Sequence, residues 1–215
     1  MISALLLDLD DTLIDDRGAM AKAVLSFRDK HRLMTGMSDA ELAEKWDSVG
    51  RALWRQLDLG EVGFEEQRRL RIKNTFALDL SDSEVDSLFL DYLHYYEQHW
   101  ENFSYTEQFL QKSAHLPRAI ITNGHRPQAH RKLSKLGLNE HLHAIVTPED
   151  CGARKPNPEI FLHTLGLLGV APENALMIGD NLEADIAPAK ALGMRVFHVD
   201  HALQGRTVLD VLAHL

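Results

Sequence analysis

The chain has 215 residues, of which 45% are hydrophobic and 26% charged, with a formal net charge of −9 and a pI near 5.7. That length and apolar content suit one core domain carrying a smaller insertion, and the acidic balance excludes extended nucleic-acid binding, because an acidic surface repels phosphate backbones. The single cysteine, Cys151, excludes disulfide frameworks and cysteine zinc clusters within the chain. The opening run lacks a basic region and is cut short at Asp8, so neither a signal peptide nor a membrane anchor is expected, no later run spans a bilayer, and a cytoplasmic location is the default expectation.

Residues 2–9 read as a short strand buried on both faces, apolar until it ends in acids. The pattern then turns helical. Met20, Val24 and Phe27 recur at helical spacing. Ser38 with Glu41 forms a capping-box signature ahead of Leu42, Trp46, Val49 and Leu53. Gly60 and Gly63 bracket a turn before a basic helix over residues 64–76. Ser81 with Glu84 is a second capping box, leading into Val85, Leu88, Tyr92 and Tyr96. About four helices and no strand are expected in this block. Trp46, Trp54, Tyr92, Tyr95, Tyr96 and Trp100 are expected mainly in its core, and Arg68, Arg69, Arg71 and Lys73 on a solvated helix face.

Beyond residue 105 the rhythm is α/β. A helix over 106–114 precedes a strand over 118–122, and Pro127 opens a helix that Gly137 closes. Strands at 144–147, 175–179 and 195–199 alternate with helices at 156–168 and from Gly179 to Gly193. This alternation predicts a Rossmann-like parallel sheet with helices on both faces. The first strand must join that sheet to bury both its faces. The predicted organisation is therefore a core of residues 1–15 and 101–215, interrupted by an α-helical domain over 16–100.

Open α/β sheets bind ligands outside the carboxyl ends of their strands. After the first strand stand Asp8, Asp10, Asp11 and Thr12; after the second, Thr122, Asn123 and Gly124; past the third, Lys155; after the fourth, Gly179, Asp180 and, further on, Asp185. That set suits phosphoryl transfer. Magnesium takes oxygen ligands, and Asp8 and Asp180 can supply carboxylates. Lys155, the Thr122 hydroxyl, the Asn123 amide and main-chain N–H groups near Gly124 can neutralise and bind a phosphate. A carboxylate can attack phosphorus, and a second acid, Asp10, can protonate the leaving alcohol and then activate water. Its pKa is expected to be raised by Asp8, with magnesium opposing the shift. Asp11 is expected to support the turn and Thr12 to brace the loop and orient Asp10. Arg154 is expected to be solvated, Cys151 inert, and the twelve histidines surface or partly buried residues rather than a metal site.

These residues make the chain resemble the haloacid dehalogenase (HAD) superfamily with a helical cap inserted after the first strand. The first motif is Asp8-Leu9-Asp10-Asp11-Thr12, the second Thr122 in ITNG, the third Lys155 in RKPNPEIF, and the fourth Gly179-Asp180-Asn181-Leu182-Glu183-Ala184-Asp185. The resemblance implies that Asp8 is nucleophile and magnesium ligand, Asp10 acid/base and metal ligand through its carbonyl, and Asp180 the remaining protein ligand. It also implies that Asp185 acts through water or by orienting Lys155, and that Thr122, Asn123 and Lys155 hold the phosphate.

Within the superfamily the acid at Asp10 favours phosphate-ester hydrolysis over dehalogenation. A phosphosugar mutase of similar build is the alternative, with a non-catalytic phospholigand-binding protein behind it. The core motifs and the segment Val49-Gly50-Arg51-Ala52-Leu53-Trp54 are similar to the branch of pyrimidine 5′-nucleotidase-like and N-acylneuraminate-9-phosphatase-like enzymes. The expected substrate is a small phosphorylated metabolite, a nucleoside monophosphate or sugar phosphate ahead of phosphoglycolate, over which the cap would close and exclude water. No membrane partner is expected, and the chain is expected as a monomer or homodimer.

Overall fold

The computed structural model describes residues 1–201 and 205–215, without the side chain of Asp58. The chain divides into two compact units, one of Met1–Asp15 with Glu101–Leu215 and one of Asp16–Trp100. No helix among the described residues is long and apolar enough to cross a membrane.

The continuous unit holds α1 (Asp16–His31), α2 (Asp39–Asp58), α3 (Phe64–Phe76) and α4 (Asp82–Gln98). Glu41 and Glu84 each accept the main-chain N–H of the serine three residues before, at 2.8 and 2.9 Å, so both capping boxes set helix starts. Trp46 and Tyr92 anchor the core, the indole Nε1 donating to the phenol oxygen at 3.0 Å, with Phe27 and Ile72 buried beside them. Tyr96 and Trp100 are buried as expected, whereas Trp54 and Tyr95 are only half-buried.

The basic face of α3 differs from its expectation. Arg69 and Lys73 pair with Asp82 of α4, and Arg69 also with Asp86. Arg71 is buried, its guanidinium over the Trp46 ring at 4.4 Å and its Nε donating to the Trp46 carbonyl at 3.3 Å. Burial holds its pKa below the usual arginine value, while Tyr92, Tyr96 and Asp16 oppose that shift. A Cβ at Gly50 would lie 2.7 Å from this guanidinium, which is why glycine occupies the middle of α2.

The discontinuous unit is built on β1 (Ala4–Leu7), β2 (Arg118–Ile121), β3 (Ala144–Val146), β4 (Ala175–Gly179) and β5 (Arg195–His198). All neighbours are parallel, in the order β3-β2-β1-β4-β5. β1 is central and every residue in it is buried, which accounts for its unbroken apolar run. Leu5 and Leu7 pack on one face with Phe109 of α5 (Thr106–Lys112) and Leu133 of α6 (Arg126–Lys135). Leu6 packs on the other face with Ile160 and Phe161, after the short α7 (Pro148–Cys151), from α8 (Pro158–Leu168). At roughly 1.5–3 kcal/mol for each fully buried large aliphatic, these two layers supply the main driving force of the unit.

Two helices start or run differently from the sequence pattern. α8 begins at Pro158, because Asn157 Oδ1 accepts the Glu159 N–H and fixes the start there. The helix expected between Gly179 and Gly193 is a π-helical turn over Leu182–Ile186 followed by α9 (Ala187–Ala191). Pro188 has no N–H to continue an α ladder, so the wide turn precedes it. A 3₁₀ helix over Val208–His214, not read from the sequence, buries Val208 and Val211 on the β1 face that carries Leu5.

Candidate active site

Because β1 lies between β2 and β4, residues leaving these three strands reach one rim. A tight turn follows β1. The Leu9 carbonyl accepts the N–H groups of Thr12, Leu13 and Ile14, and Asp11 takes the left-handed conformation at φ 57°. This turn folds Thr12 back under Asp8, whose Oδ2 accepts the Thr12 hydroxyl at 3.0 Å. The sequence expectation that Thr12 orients Asp10 is therefore corrected: turn geometry aims the hydroxyl at the first acid.

Asp8 is 6% exposed. Its Oδ1 accepts from Lys155 Nζ at 2.6 Å, and the same ammonium donates to Asp185 Oδ1 at 2.6 Å. Asp185 Oδ2 in turn accepts the Asn181 N–H at 3.1 Å. The result is a buried chain from Thr12 through Asp8, Lys155 and Asp185 to the loop after β4. Burial pushes the Asp8 carboxyl up to about 6, against the lowering pull of Lys155. Burial also works against the charge on Lys155, but the Asp185 and Asp8 carboxylates outweigh it and hold its pKa above the ordinary lysine value. Gly179 leaves the space for Asp185, since a Cβ there would lie 2.4 Å from Asp185 Oδ2.

Thr122 is buried at the end of β2, and its Oγ1 accepts the Gly124 N–H at 3.0 Å, so its own hydrogen remains available to donate. The Asn123 amide, expected to bind phosphate, instead grips the Lys155 main chain. Its Oδ1 accepts the Lys155 N–H and its Nδ2 donates to the Lys155 carbonyl, both at 2.8 Å. Arg154 is half-buried rather than solvated, with Nη2 donating to the Asn123 carbonyl at 3.4 Å. His125 is also half-buried, its Nε2 3.8 Å from Glu149 Oε1. After β4, the Asp180 carbonyl accepts from His198 Nε2 at 2.9 Å.

Carboxylate oxygens of Asp8, Asp180 and Asp185 lie within 4.8 Å of one another. Such a set of hard, anionic oxygens fits magnesium. Both Asp185 oxygens already accept hydrogen bonds, from Lys155 and Asn181, which suits a supporting role beside Asp8 and Asp180. The Asp10 carboxylate is not a member of this cluster, which leaves its carbonyl as the group that the resemblance assigns to metal.

Sequence reasoning missed Lys132. It lies on α6, is 2% exposed, and places Nζ 2.6 Å from Asp10 Oδ1. The signal was a lysine in the helical apolar row of Ala129, Leu133 and Leu136, where a cation is rare unless paired.

A family model for haloacid dehalogenase-like hydrolases matches residues 2–193. Phosphoglycolate phosphatase of Neisseria gonorrhoeae is 31% identical over 206 residues, 89% of this chain and 77% of that protein. Phosphoserine phosphatase of Thermus thermophilus is 37% identical over 89 residues, 41% of this chain and 36% of its own length. Glyceraldehyde 3-phosphate phosphatase of Methanopyrus kandleri is 40% identical over 74 residues, 34% of this chain and 32% of its own, so the chain matches about a third of these two relatives. Among solved structures, Bacillus subtilis YfnB bound to magnesium is similar with a TM-score of 0.85 at 20% identity, over 100% of this chain and 98% of that one, a likeness of fold.

Proposed function

The chain belongs to the haloacid dehalogenase-like hydrolases, and from that premise we propose that it is a magnesium-dependent phosphatase that hydrolyses a small phosphate monoester through an aspartyl-phosphate on Asp8. The observation that carries this reading is the convergence of Asp8, Asp180 and Asp185 within 4.8 Å, with Lys155 bonded to two of them. An amino-group cation beside the nucleophile would meet the incoming phosphate, and the Thr122 hydroxyl would donate to it. Asp8, a metal ligand through its carboxylate, and Asp180 would hold magnesium, with Asp185 supporting both and the Asp10 carbonyl completing the protein ligands. Bound there, the metal supplies charge neutralisation for the transferring phosphoryl group.

Asp8 Oδ attacks phosphorus while the ester P–O bond breaks, and the proton on Asp10 goes to the departing alcohol oxygen. Water then attacks the aspartyl-phosphate, its proton returns to Asp10, and phosphate leaves with Asp8 restored. The sequence resemblance favours a nucleoside monophosphate or sugar phosphate. The relative matched over most of the chain is named for phosphoglycolate, which belongs in the same test.

Phosphate release from an aryl phosphate, with and without magnesium, tests the reaction class. Asp8→Asn should abolish turnover, and Asp10→Asn should lower it by about 10²-fold or more while leaving metal binding intact. Activity equal to that of Asp8→Asn, or no dependence on magnesium, would overturn the reading. A panel of phosphorylated metabolites then identifies the substrate, and a sugar phosphate isomerised without phosphate release would favour a mutase instead.

A further inference from the structure

Asp10 stands beyond the end of β1, and its side chain is 36% exposed. A carboxylate so placed has room to turn toward solvent. Lys132 restricts it: this lysine sits on α6, its side chain is 3% exposed, and its ammonium meets Asp10 Oδ1 at 2.6 Å. Desolvating an ammonium is costly, and a carboxylate partner offsets that cost. α6 follows the Thr122-Asn123-Gly124 loop, so one stretch of chain delivers both the buried hydroxyl and this lysine. Asp10 Oδ2 lies on the Gly124 side, 4.0 Å from where a Cβ on that residue would sit, the same Cβ lying 3.2 Å from Thr122 Oγ1.

We propose that Lys132 is a positioning residue for proton transfer, holding Asp10 by Oδ1 so that Oδ2 faces the Gly124 loop and serves the ester oxygen. The proposal rests on the phosphatase reading above. An ammonium can only donate to Oδ1, so the proton that Asp10 delivers is carried on Oδ2. As the Asp8 Oδ–P bond forms and the ester P–O bond breaks, that proton passes to the ester oxygen. In the second half-reaction Oδ2 receives the proton of the attacking water. Loss of Lys132 removes this hold on Oδ1, so the deficit concentrates on leaving groups that need a proton.

Two esters of similar shape separate this role from packing. 4-Nitrophenyl phosphate departs without protonation, whereas phenyl phosphate needs it, and kcat/KM reports the steps through leaving-group departure. Lys132→Met should lower kcat/KM for phenyl phosphate about tenfold more than for 4-nitrophenyl phosphate. Lys132→Arg, which keeps a cationic donor, should restore most of the difference. In an Asp10→Asn background, Lys132→Met should add no further discrimination. Equal losses on both esters, or no loss, would overturn the proposal. If circular dichroism shows Lys132→Met unfolded, Lys132→Gln carries the same comparison. A wild-type protein with no magnesium-dependent activity above Asp8→Asn would defeat the phosphatase reading and this proposal with it. An active wild type lacking the leaving-group difference would defeat Lys132 alone.

Discussion

Asp8 and Asp10 are two residues apart, yet each faces a different buried lysine, Lys155 and Lys132. Two like charges so close would otherwise raise each other's cost of ionisation. The pairings separate the acids chemically, with one beside Thr12 and Asp185 and the other half-exposed. With the Asp8 carboxyl pushed up to about 6 by burial, a proton and magnesium compete for one carboxylate. The sign follows directly: above its pKa Asp8 is ionised and binds metal, and as pH falls through that value protonation weakens binding. Titration calorimetry should show magnesium affinity level between about pH 7 and pH 8, and lower by up to about tenfold per unit below about pH 6. Affinity unchanged down to about pH 5 would contradict the raised pKa. A second prediction concerns Gly179. Its Cβ would lie 2.4 Å from Asp185 Oδ2, so Gly179→Ala must push Asp185 off Lys155. Loss of turnover and a destabilisation of about 1–3 kcal/mol are expected by kinetics and thermal melting. Wild-type kcat in that variant would show that Asp185 does not govern Lys155.

At the scale of elements, the Asn123 amide ties the loop after β2 to the loop before α8 by two 2.8 Å hydrogen bonds. Asn123→Ala leaves a main-chain donor and acceptor of Lys155 without these partners. A cost of about 1–3 kcal/mol is expected, together with a fall in kcat of roughly tenfold or more as Lys155 loses its fixed place beside Asp8. Asn123→Asp keeps the acceptor for the Lys155 N–H and should fall between; equal kcat in all three proteins would remove the clamp from the account. The sequence disclosed β1, the alternating strands and both capping boxes because each rests on local spacing and side-chain chemistry. It assigned Asn123 to phosphate because an amide beside a hydroxyl looks like a ligand set, and only the folded loops show which atoms it meets. Lys132 and Arg71 were misread or passed over for one reason. A long cation on an amphipathic helix reads as solvated until the partner that makes its burial tolerable is known, Asp10 in one unit and the Trp46 ring and carbonyl in the other. Pro188 did carry a legible warning of the π-helical turn, since it cannot continue an α ladder.

At the scale of the molecule, charge accounting sets the last prediction. Asp8, Asp180 and Asp185 bring three carboxylates together, and Lys155 supplies one ammonium to them, so with all four ionised the cluster carries a net −2 (three negative charges less one positive). Asp10 meets a second ammonium, that of Lys132. The chain as a whole is at −9, so its field attracts cations rather than expelling the excess. A divalent cation therefore matches the residual charge of the site. Ligand that binds the folded state alone stabilises it by about 2.7 kcal/mol at a hundred times its Kd. For a protein of this size that is roughly a 5–10 °C rise in Tm on adding magnesium to metal-free protein. All three carboxylates lie in the discontinuous unit, Met1–Asp15 with Glu101–Leu215. If calorimetry resolves two transitions, magnesium should raise the one belonging to that unit, and melting of Asp16–Trp100 should follow only as far as the two are coupled. Asp180→Asn removes one charge and one ligand, so its magnesium-dependent shift should shrink to a small fraction of the wild-type shift. An undiminished shift in Asp180→Asn would place the metal somewhere other than the carboxyl ends of β1 and β4.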